Sequence, residues 1–317
     1  MSRKNLRVLV TGGAGFIGSH LVDKLAELNK EVTILDNLYT GRMENIEKHR
    51  QNKNVHFVKG DIRNFKSVKE CVNNVDAVFN LAATISVPLS IKDPLLTNDV
   101  NVAGTMNLLK ASLDSNIKRF IQVSSAAIYG DAKTLPVRED FVSKPLSPYA
   151  ASKLAAEAYA MAFHEAYGLE TVCLRYFNVY GPRQMFNPYS GVITIFVSEL
   201  LHDRPPKIFG DGRQTRDFVF IEDVISASML ALTKKSAVGE AFNISTGKST
   251  TINKLVGTLQ KIMGKSDLKP IYEEPRIGDI RHSCASIEKA RSILGYEPKF
   301  SLDKGLKELV KWCMTKQ

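Results

Sequence analysis

The segment Ser147-Pro148-Tyr149-Ala150-Ala151-Ser152-Lys153 holds the residues of this chain best suited to moving a proton. Ser147 is a good N-cap and Pro148 a good first helical residue. Tyr149 and Lys153 then stand at i and i+4 and share one helix face. A free phenol, with a pKa of about 10, is too weak a base at neutral pH. An ammonium fixed beside it favours the phenolate. A fall of about three units needs roughly 4 kcal/mol of differential stabilisation. Ser124 and Ser125 end the apolar run 120–123, and ligands gather at the carboxyl edge of a parallel sheet. A hydroxyl there could hydrogen-bond an alcohol oxygen as it becomes a carbonyl. Alone, a Tyr…Lys pair at this spacing is a common solvated helix pair. With the edge serines and the glycine turn described next, it reads as the acid–base group of an alcohol oxidation.

Leu6-Arg7-Val8-Leu9-Val10-Thr11 runs straight into Gly12-Gly13-Ala14-Gly15-Phe16-Ile17-Gly18. Two registers fit, Gly13-x-Gly15-x-x-Gly18 and Gly12-x-x-Gly15-x-x-Gly18. In both, one glycine makes the turn, one admits a pyrophosphate, and one lets the helix pack on the strand. The helix N-terminus then offers free N–H groups and a positive dipole to phosphate. Asp36 ends the next strand, where a carboxylate would take the ribose hydroxyls and repel a 2′-phosphate, so NAD is favoured over NADP. Arg42 could argue for NADP but reads more simply as an exposed loop charge. Asp61, in Gly60-Asp61-Ile62, could accept from the adenine amino group. Leu81-Ala82-Ala83 are small enough to let the cofactor lie against the backbone. The positive nicotinamide of NAD would be a second cation near Tyr149.

These residues need a frame, and the apolar pattern supplies one. Near-continuous apolar runs at 6–11, 32–35, 55–58, 75–81, 120–123 and 171–176 read as strands buried on both faces. Helical-period segments alternate with them, as Ile17, Leu21, Leu25 and Leu28 show. The pattern predicts an α/β fold: a doubly wound parallel Rossmann sheet with a smaller C-terminal α/β substrate lobe. After about residue 180 the chain turns rich in Gly and Pro, with helices expected at 221–233, 252–263, 287–294 and 302–313. The expected division is 1–180, plus about 215–243 returning to it, for the dinucleotide domain, and 181–214 with 244–317 for the lobe.

Composition narrows the function classes. The 317 residues carry 43 Lys+Arg against 33 Asp+Glu, a formal charge of +10, with 44% hydrophobic and 24% charged residues. Those are globular values, which excludes a low-complexity chain. The basic residues are dispersed, without a run of five or six or an aromatic–basic ladder, so nucleic acid is not the expected partner. No stretch nears the ~20 apolar residues of a membrane span. Met1-Ser2-Arg3-Lys4 leads into a short apolar run that reads as a strand, not a secretion signal. Cys71, Cys173, Cys284 and Cys313 are scattered without a C-x-x-C pair, which suits a reduced cytoplasm and no metal site.

The motifs TGGAGFIG (11–18), DN (36–37), GDI (60–62), LAA (81–83), SSAAIYG (124–130), SPYAASK (147–153) and RYFNVYGPRQ (175–184) together resemble the extended short-chain dehydrogenase/reductases over nearly the whole chain. Within them the chain looks like a nucleotide-sugar 4-epimerase of the UDP-glucose or UDP-N-acetylglucosamine type. The family's 4,6-dehydratases carry an Asp-Glu pair after the fifth strand and its UDP-glucuronate decarboxylases a Glu; this chain has Ala126 and Ala127. Dehydration needs a carboxylate to protonate the leaving hydroxyl and a base at C5, so oxidation and re-reduction at one carbon is what remains.

By the resemblance, Ser125 is the catalytic serine beside Ser124, Tyr149 the base and acid, and Lys153 the partner of the nicotinamide ribose. The cofactor set is Gly12, Gly15, Phe16, Ile17, Gly18, Asp36, Asn37, Asp61, Ile62, Leu81, Ala82, Ala83, Asn101, Ser124, Tyr149, Lys153 and Tyr176. Asn178, Arg216 and Arg276 match contacts to the nucleotide diphosphate, where guanidinium binds phosphate oxygens in pairs. Phe209 is either the uracil-stacking aromatic or a core residue. Ser283 stands at the gate beside the sugar C2 substituent and leaves room for an N-acetyl group. Ile85 replaces a lysine of some UDP-glucose epimerases, while Ser86-Val87 resembles members acting on acetylated or acidic sugars. The substrate stays open between UDP-Glc/Gal, UDP-GlcNAc/GalNAc and UDP-glucuronate, with another reductase of the family as an alternative. A sensor that binds NAD(P) without chemistry could dispense with Tyr149 or Lys153, and this chain keeps both. The alanine-rich helix 149–167 and the segment 95–112 imply a homodimer.

Overall fold

The computed structural model describes residues 6–185, 191–275 and 280–315. Its first half runs β1 (Arg7–Thr11), α1 (Phe16–Glu27), β2 (Glu31–Asp36), β3 (Val55–Lys59), α2 (Phe65–Val72), β4 (Ala77–Asn80), α3 (Val87–Lys92), α4 (Pro94–Asn98), α5 (Gly104–Asp114) and β5 (Arg119–Ser125). Its second half runs α6 (Pro148–Tyr167), β6 (Thr171–Tyr176), β7 (Asn178–Tyr180), α7 (Val192–Leu201), β8 (Lys207–Phe209), β9 (Thr215–Phe220), α8 (Ile221–Thr233), β10 (Glu240–Ile244), β11 (Ser249–Thr251), α9 (Ile252–Met263), β12 (Ile271–Glu273) and α10 (Leu302–Met314).

Strand side chains alternate between faces, and β1 divides its own between two cores. Val8 and Val10 join the core that includes Leu21 and Leu25 of α1 and Val224 of α8. Leu9 joins the opposite one, with Val68 of α2, Leu108 of α5 and Ala160 of α6. Burial on both faces is why these strands lack a polar alternation. The resulting sheet has the order β10-β6-β5-β4-β1-β2-β3. Every pairing in it is parallel. Strand order reverses between β1 and β4, and a ligand crevice opens at such a point.

The six expected strands are present, and β10 adds a seventh at the edge. Its apolar pattern is broken by Asn243, a residue depleted in strands, yet Asn243 is fully buried. Its amide donates to Val137 O at 3.0 Å and its Oδ1 accepts from Tyr129 OH at 2.7 Å. The expected continuous helix over 95–112 is broken into α4, a π turn over Asp99–Ala103, and α5. The extra residue of a π turn re-aims a side chain, here the buried Asn101. The helix expected at 287–294 likewise closes in a π turn, Ala290–Leu294.

The C-terminal lobe is built from two small sheets, β11-β9-β7 and β12-β8. Helices α7, α9 and α10 cover them, burying Phe196, Leu255, Leu259 and Leu306. Fully buried Asp217 in β9 ties it together. Its carboxylate accepts Thr246 N, Thr246 Oγ1, Gly247 N and Ala285 N at 2.6–3.1 Å. Burial pushes this carboxyl above its usual range against those four donors.

Candidate active site

Gly12 adopts φ +68° and lies against the backbone of Ala82, where an added Cβ would sit 3.0 Å from the Ala82 nitrogen. Gly18 packs so tightly on the turn that a Cβ would fall 2.1 Å from Gly12 O. The turn glycine is therefore Gly12, and the register is Gly12-x-x-Gly15-x-x-Gly18. Gly15 is the N-cap of α1, with no side chain capping the helix and no acidic residue in its first turn. Its first amides stay available to an anion.

A cleft of about 450 Å³ starts at this turn and crosses the carboxyl edge. Of the cofactor residues expected, Gly12, Gly15, Phe16, Ile17, Gly18, Asp36, Asn37, Asp61, Ile62, Leu81, Ala82, Ala83, Ser124, Tyr149, Lys153 and Tyr176 all line it, as do Ser125 and Asn178. Asp36 Oδ2 accepts Ala14 N at 3.0 Å and Oδ1 accepts Leu38 N at 2.8 Å. Burial raises its pKa, with those amides opposing. One acceptor position per oxygen remains for a ribose hydroxyl.

Asp61 is more committed. Arg63 grips it through the backbone N, Nε and Nη2 at 2.8–3.0 Å, and Asn37 Nδ2 adds a fourth bond at 2.9 Å. Those four bonds fill the carboxylate's acceptor sites. The hydrogen bond from Arg63 leads the causes that hold its pKa down to about 2. An adenine amino group would have to displace Arg63.

The proton-moving group assembles where β5 meets α6. Ser147 Oγ accepts Ala150 N at 3.1 Å and Pro148 opens the helix, so the expected cap forms. Ser125 Oγ accepts Ala127 N at 3.2 Å, starting a tight turn over Ala126–Tyr129. Ser125 and Tyr149 both line the cleft, and the Ser125 hydroxyl is near enough to favour the Tyr149 phenolate. Burial raises the pKa of Tyr149, and Ser125 offsets only part of that. Lys153, 4% exposed, is itself pushed down to about 8 by burial, with Glu157 and Cys173 opposing. Desolvation is the largest influence on Tyr149 from the chain's own groups; the expected fall rests on two cations together, the Lys153 ammonium and the nicotinamide of NAD. Ser124 Oγ lines the cleft, buried and without a hydrogen-bond partner among the described residues.

Asn101 does not line the cleft. Its Oδ1 accepts Thr84 N at 2.7 Å, and its Nδ2 donates to Thr84 O at 3.0 Å and to Ser152 Oγ at 2.8 Å. It thereby fixes the Thr84 loop to the helix that carries Tyr149 and Lys153. Ser86 also lies outside the cleft, with Oγ accepting Leu89 N to cap α3. The ring of Tyr176 lines the cleft while its hydroxyl is bonded to Ser228 at 2.8 Å.

A second cavity of about 180 Å³ continues from Ser125 and is lined by Ala126, Ala127, Tyr176, Asn178, His282 and Ser283, among others. Asn178 Nδ2 donates to Asp217 O at 3.1 Å, and Ser283 N donates to Thr215 O at 3.1 Å. Arg216, between those anchor points on β9, donates from Nη1 to Thr215 O at 2.8 Å and lines neither cavity. Phe209 is half-buried at the end of β8, also outside both. Arg276 lies outside the described residues. Among the residues missed in the sequence are Tyr39, Arg63, Thr84, Gln184 and His282, which line these cavities, and Asp217, which anchors Asn178. An acid inside the apolar strand Arg216-Asp217-Phe218-Val219-Phe220 was the available signal for the last.

Sheet order, glycine turn and the Tyr149–Lys153 helix put the chain among the extended short-chain dehydrogenase/reductases. Within them it belongs to the family described as GDP-mannose 4,6 dehydratase, whose model matches residues 9–309. It is similar to the solved UDP-N-acetylglucosamine 4-epimerase of Methanobrevibacter ruminantium in complex with UDP-N-acetylmuramic acid, at 39% identity and TM-score 0.95 over 99% of this chain and 100% of that one. It is similar to the UDP-glucose 4-epimerase of Thermotoga maritima with UDP-glucose, at 41% identity and TM-score 0.93 over 98% and 99%. It is also similar to the UDP-glucuronic acid 4-epimerase of Bacillus cereus in complex with UDP-glucuronic acid and NAD, at 34% identity and TM-score 0.92 over 98% and 100%.

Proposed function

We propose that the chain is a UDP-sugar 4-epimerase that works with bound NAD. The observation that carries this reading is the meeting of Tyr149 and Ser125 in the cleft, where Ser125 also borders the second cavity, with alanine at 126 and 127. The cleft suits the dinucleotide: the uncapped α1 N-terminus fits the pyrophosphate, Asp36 the ribose, and the orphaned Ser124 hydroxyl and Lys153 the nicotinamide end. When bound, NAD accepts a hydride from the sugar C4 and gives it back.

Tyr149 takes the proton of the 4-hydroxyl and later returns it to the same oxygen. Ser125 donates to that oxygen as it gains carbonyl character. Lys153 holds positive charge beneath the site. With NAD bound, its positive charge would add to that of Lys153 in favouring the Tyr149 phenolate. By the family resemblance Asn178, Arg216 and Arg276 would hold the diphosphate, so binding energy is drawn from contacts away from C4 and the sugar stays free to turn. Ala126 and Ala127 offer no carboxylate to expel a hydroxyl, which favours epimerisation over the dehydration in the family's description.

The sugar is proposed to be UDP-Glc/Gal or UDP-GlcNAc/GalNAc, with Ser283 leaving space at C2. UDP-glucuronate is the second reading; Ser86-Val87 resembles members acting on acetylated or acidic sugars alike. We further propose a homodimer through α6 and the α4–α5 segment, where Leu95 is 77% and Tyr159 42% exposed. Residues 1–180 with about 215–243 are proposed as the cofactor unit and the rest as the sugar unit, with β7 and β9 of the first joining β11 of the second in one small sheet.

The test is to incubate the protein with UDP-Glc, UDP-GlcNAc and UDP-GlcA separately and resolve the products. One C4-inverted product without net NADH is expected. Steady NADH accumulation or a 6-deoxy-4-keto product would refute epimerisation.

A further inference from the structure

Lys153 carries its charge in a place that opposes it. It is 4% exposed, and burial is the largest influence on its titration. One helical turn further along α6 stands Glu157, also 4% exposed. Residues i and i+4 of a helix are neighbours. The groups that act on Lys153 are Glu157 on its own helix and Cys173 on β6. The Cys173 thiol is itself pushed up by burial and stays neutral at physiological pH, so Glu157 is the source of negative charge.

Glu157 is held in turn. Arg175 on β6 donates to it from Nε at 3.0 and 3.1 Å and from Nη2 at 2.5 Å. The same guanidinium donates to Tyr129 OH at 2.6 Å and to Glu139 O at 2.8 Å. Tyr129 passes the chain on to Asn243. The groove beyond the pair also holds Glu139, Asp140, Glu240, Glu288, Arg138 and Lys289. Of these, Arg138 and Asp140 pair together at exposed, screened positions, and Lys289 pairs with Glu240 at half-buried ones.

A buried Arg–Glu pair gives little net stability, since desolvation takes back most of the attraction. Its position supplies a different use. We propose that Glu157 is a positioning residue for the reaction: fixed by Arg175, it keeps Lys153 an ammonium inside the cleft over the pH range in which Tyr149 must act as a base. Arg175 sets the geometry, because a planar guanidinium gripping both oxygens leaves the carboxylate one orientation. The inference rests on the role given to Lys153 above.

Two readouts on Glu157→Gln test it. The first is the titration of Lys153 in cofactor-free protein by ¹³Cε-lysine NMR, its signal identified by its loss in Lys153→Met. The second is the pH profile of epimerase turnover. The expected result is that the Lys153 midpoint moves down by at least about one unit, a tenfold change in the ammonium fraction. The alkaline limb of kcat should move with it, so that activity falls about tenfold at pH 8.5 and much less at pH 6.5. Glu157→Asp should restore part of both shifts. Should Glu157→Gln leave Arg175 too poorly paired to fold, Glu157→Gln with Arg175→Met removes the buried pair as a unit and should move the midpoint in the same direction by less, because the Arg175 charge that opposes the ammonium leaves with it.

An unmoved Lys153 midpoint in either variant overturns the proposal, even if turnover drops, because lost packing lowers activity without moving a titration. Near-normal turnover in Lys153→Met would instead refute the role of Lys153 and leave the NMR result standing.

Discussion

Burial opposes ionisation of Tyr149, and Ser125 beside it offsets part of that. Replacing Tyr149 with Phe keeps the ring and deletes the hydroxyl that takes the proton. Tyr149→Phe should lower kcat about a thousandfold, within the range of general acid–base catalysis, while UDP binding by calorimetry stays near that of the parent. Gly18 makes the second residue-scale prediction. A methyl group there would fall 2.1 Å from Gly12 O, a backbone atom that cannot yield. Gly18→Ala should push α1 off the turn and yield protein with little bound nucleotide, read as the absorbance released on acid denaturation. Both residues were legible as types and spacings. The choice between Gly12 and Gly13 as turn residue was not, because it depends on which of them lies against Ala82, just beyond the end of β4.

The elements obey local chemistry where that chemistry is complete. Ser147 and Pro148 fix the start of α6, and the apolar runs fix β1 to β6. Ser147→Ala removes the acceptor for Ala150 N and should destabilise the protein by about 1 kcal/mol in urea unfolding. The same helix start carries Tyr149, so turnover should fall too. β10 and the broken 94–114 helix escaped the pattern for one reason. Each contains a buried polar residue, Asn243 or Asn101, whose partners are distant in sequence. A polar side chain in such a segment reads as exposed until its partners are known.

Across the whole molecule, a charge cluster joins the glycine-turn helix to the loop that precedes the lobe. Asp23 on α1 bonds His49 at 2.7 Å, Lys48 at 2.9 Å and Arg183 at 2.7 Å. Nearby His20 donates from Nε2 to Pro182 O at 3.0 Å, with Phe16 edge-on to its ring. Burial depresses the pKa of His20 to about 4, with the Pro182 bond opposing and Arg183 adding to the fall. Between about pH 6.5 and 4 the unfolded chain therefore binds a proton at this site that the folded one refuses. Stability from His20 is full above pH 6.5 and is lost as pH falls towards 4, by about 2 to 3 kcal/mol. His20→Gln, with an amide that can still donate to Pro182, should lose that much less between pH 7 and pH 4.5 in urea unfolding. Subtracting the two proteins removes the opposite trend of Asp36, Asp217 and Asp223, whose raised pKa values favour the fold at low pH.

The sequence by itself determined the doubly wound sheet, the glycine turn and the Tyr149–Lys153 pair, because each is written in neighbours along the chain: apolar runs, a strand-to-turn junction, one turn of helix. Only the tertiary structure decided that Asp61 is already saturated by Arg63, that Asn101 braces the Thr84 loop, that Asp217 anchors Asn178, and that Tyr149 begins above its free pKa. Each of those is a balance of burial against particular partners, and burial comes into being only when distant segments close around the same atom.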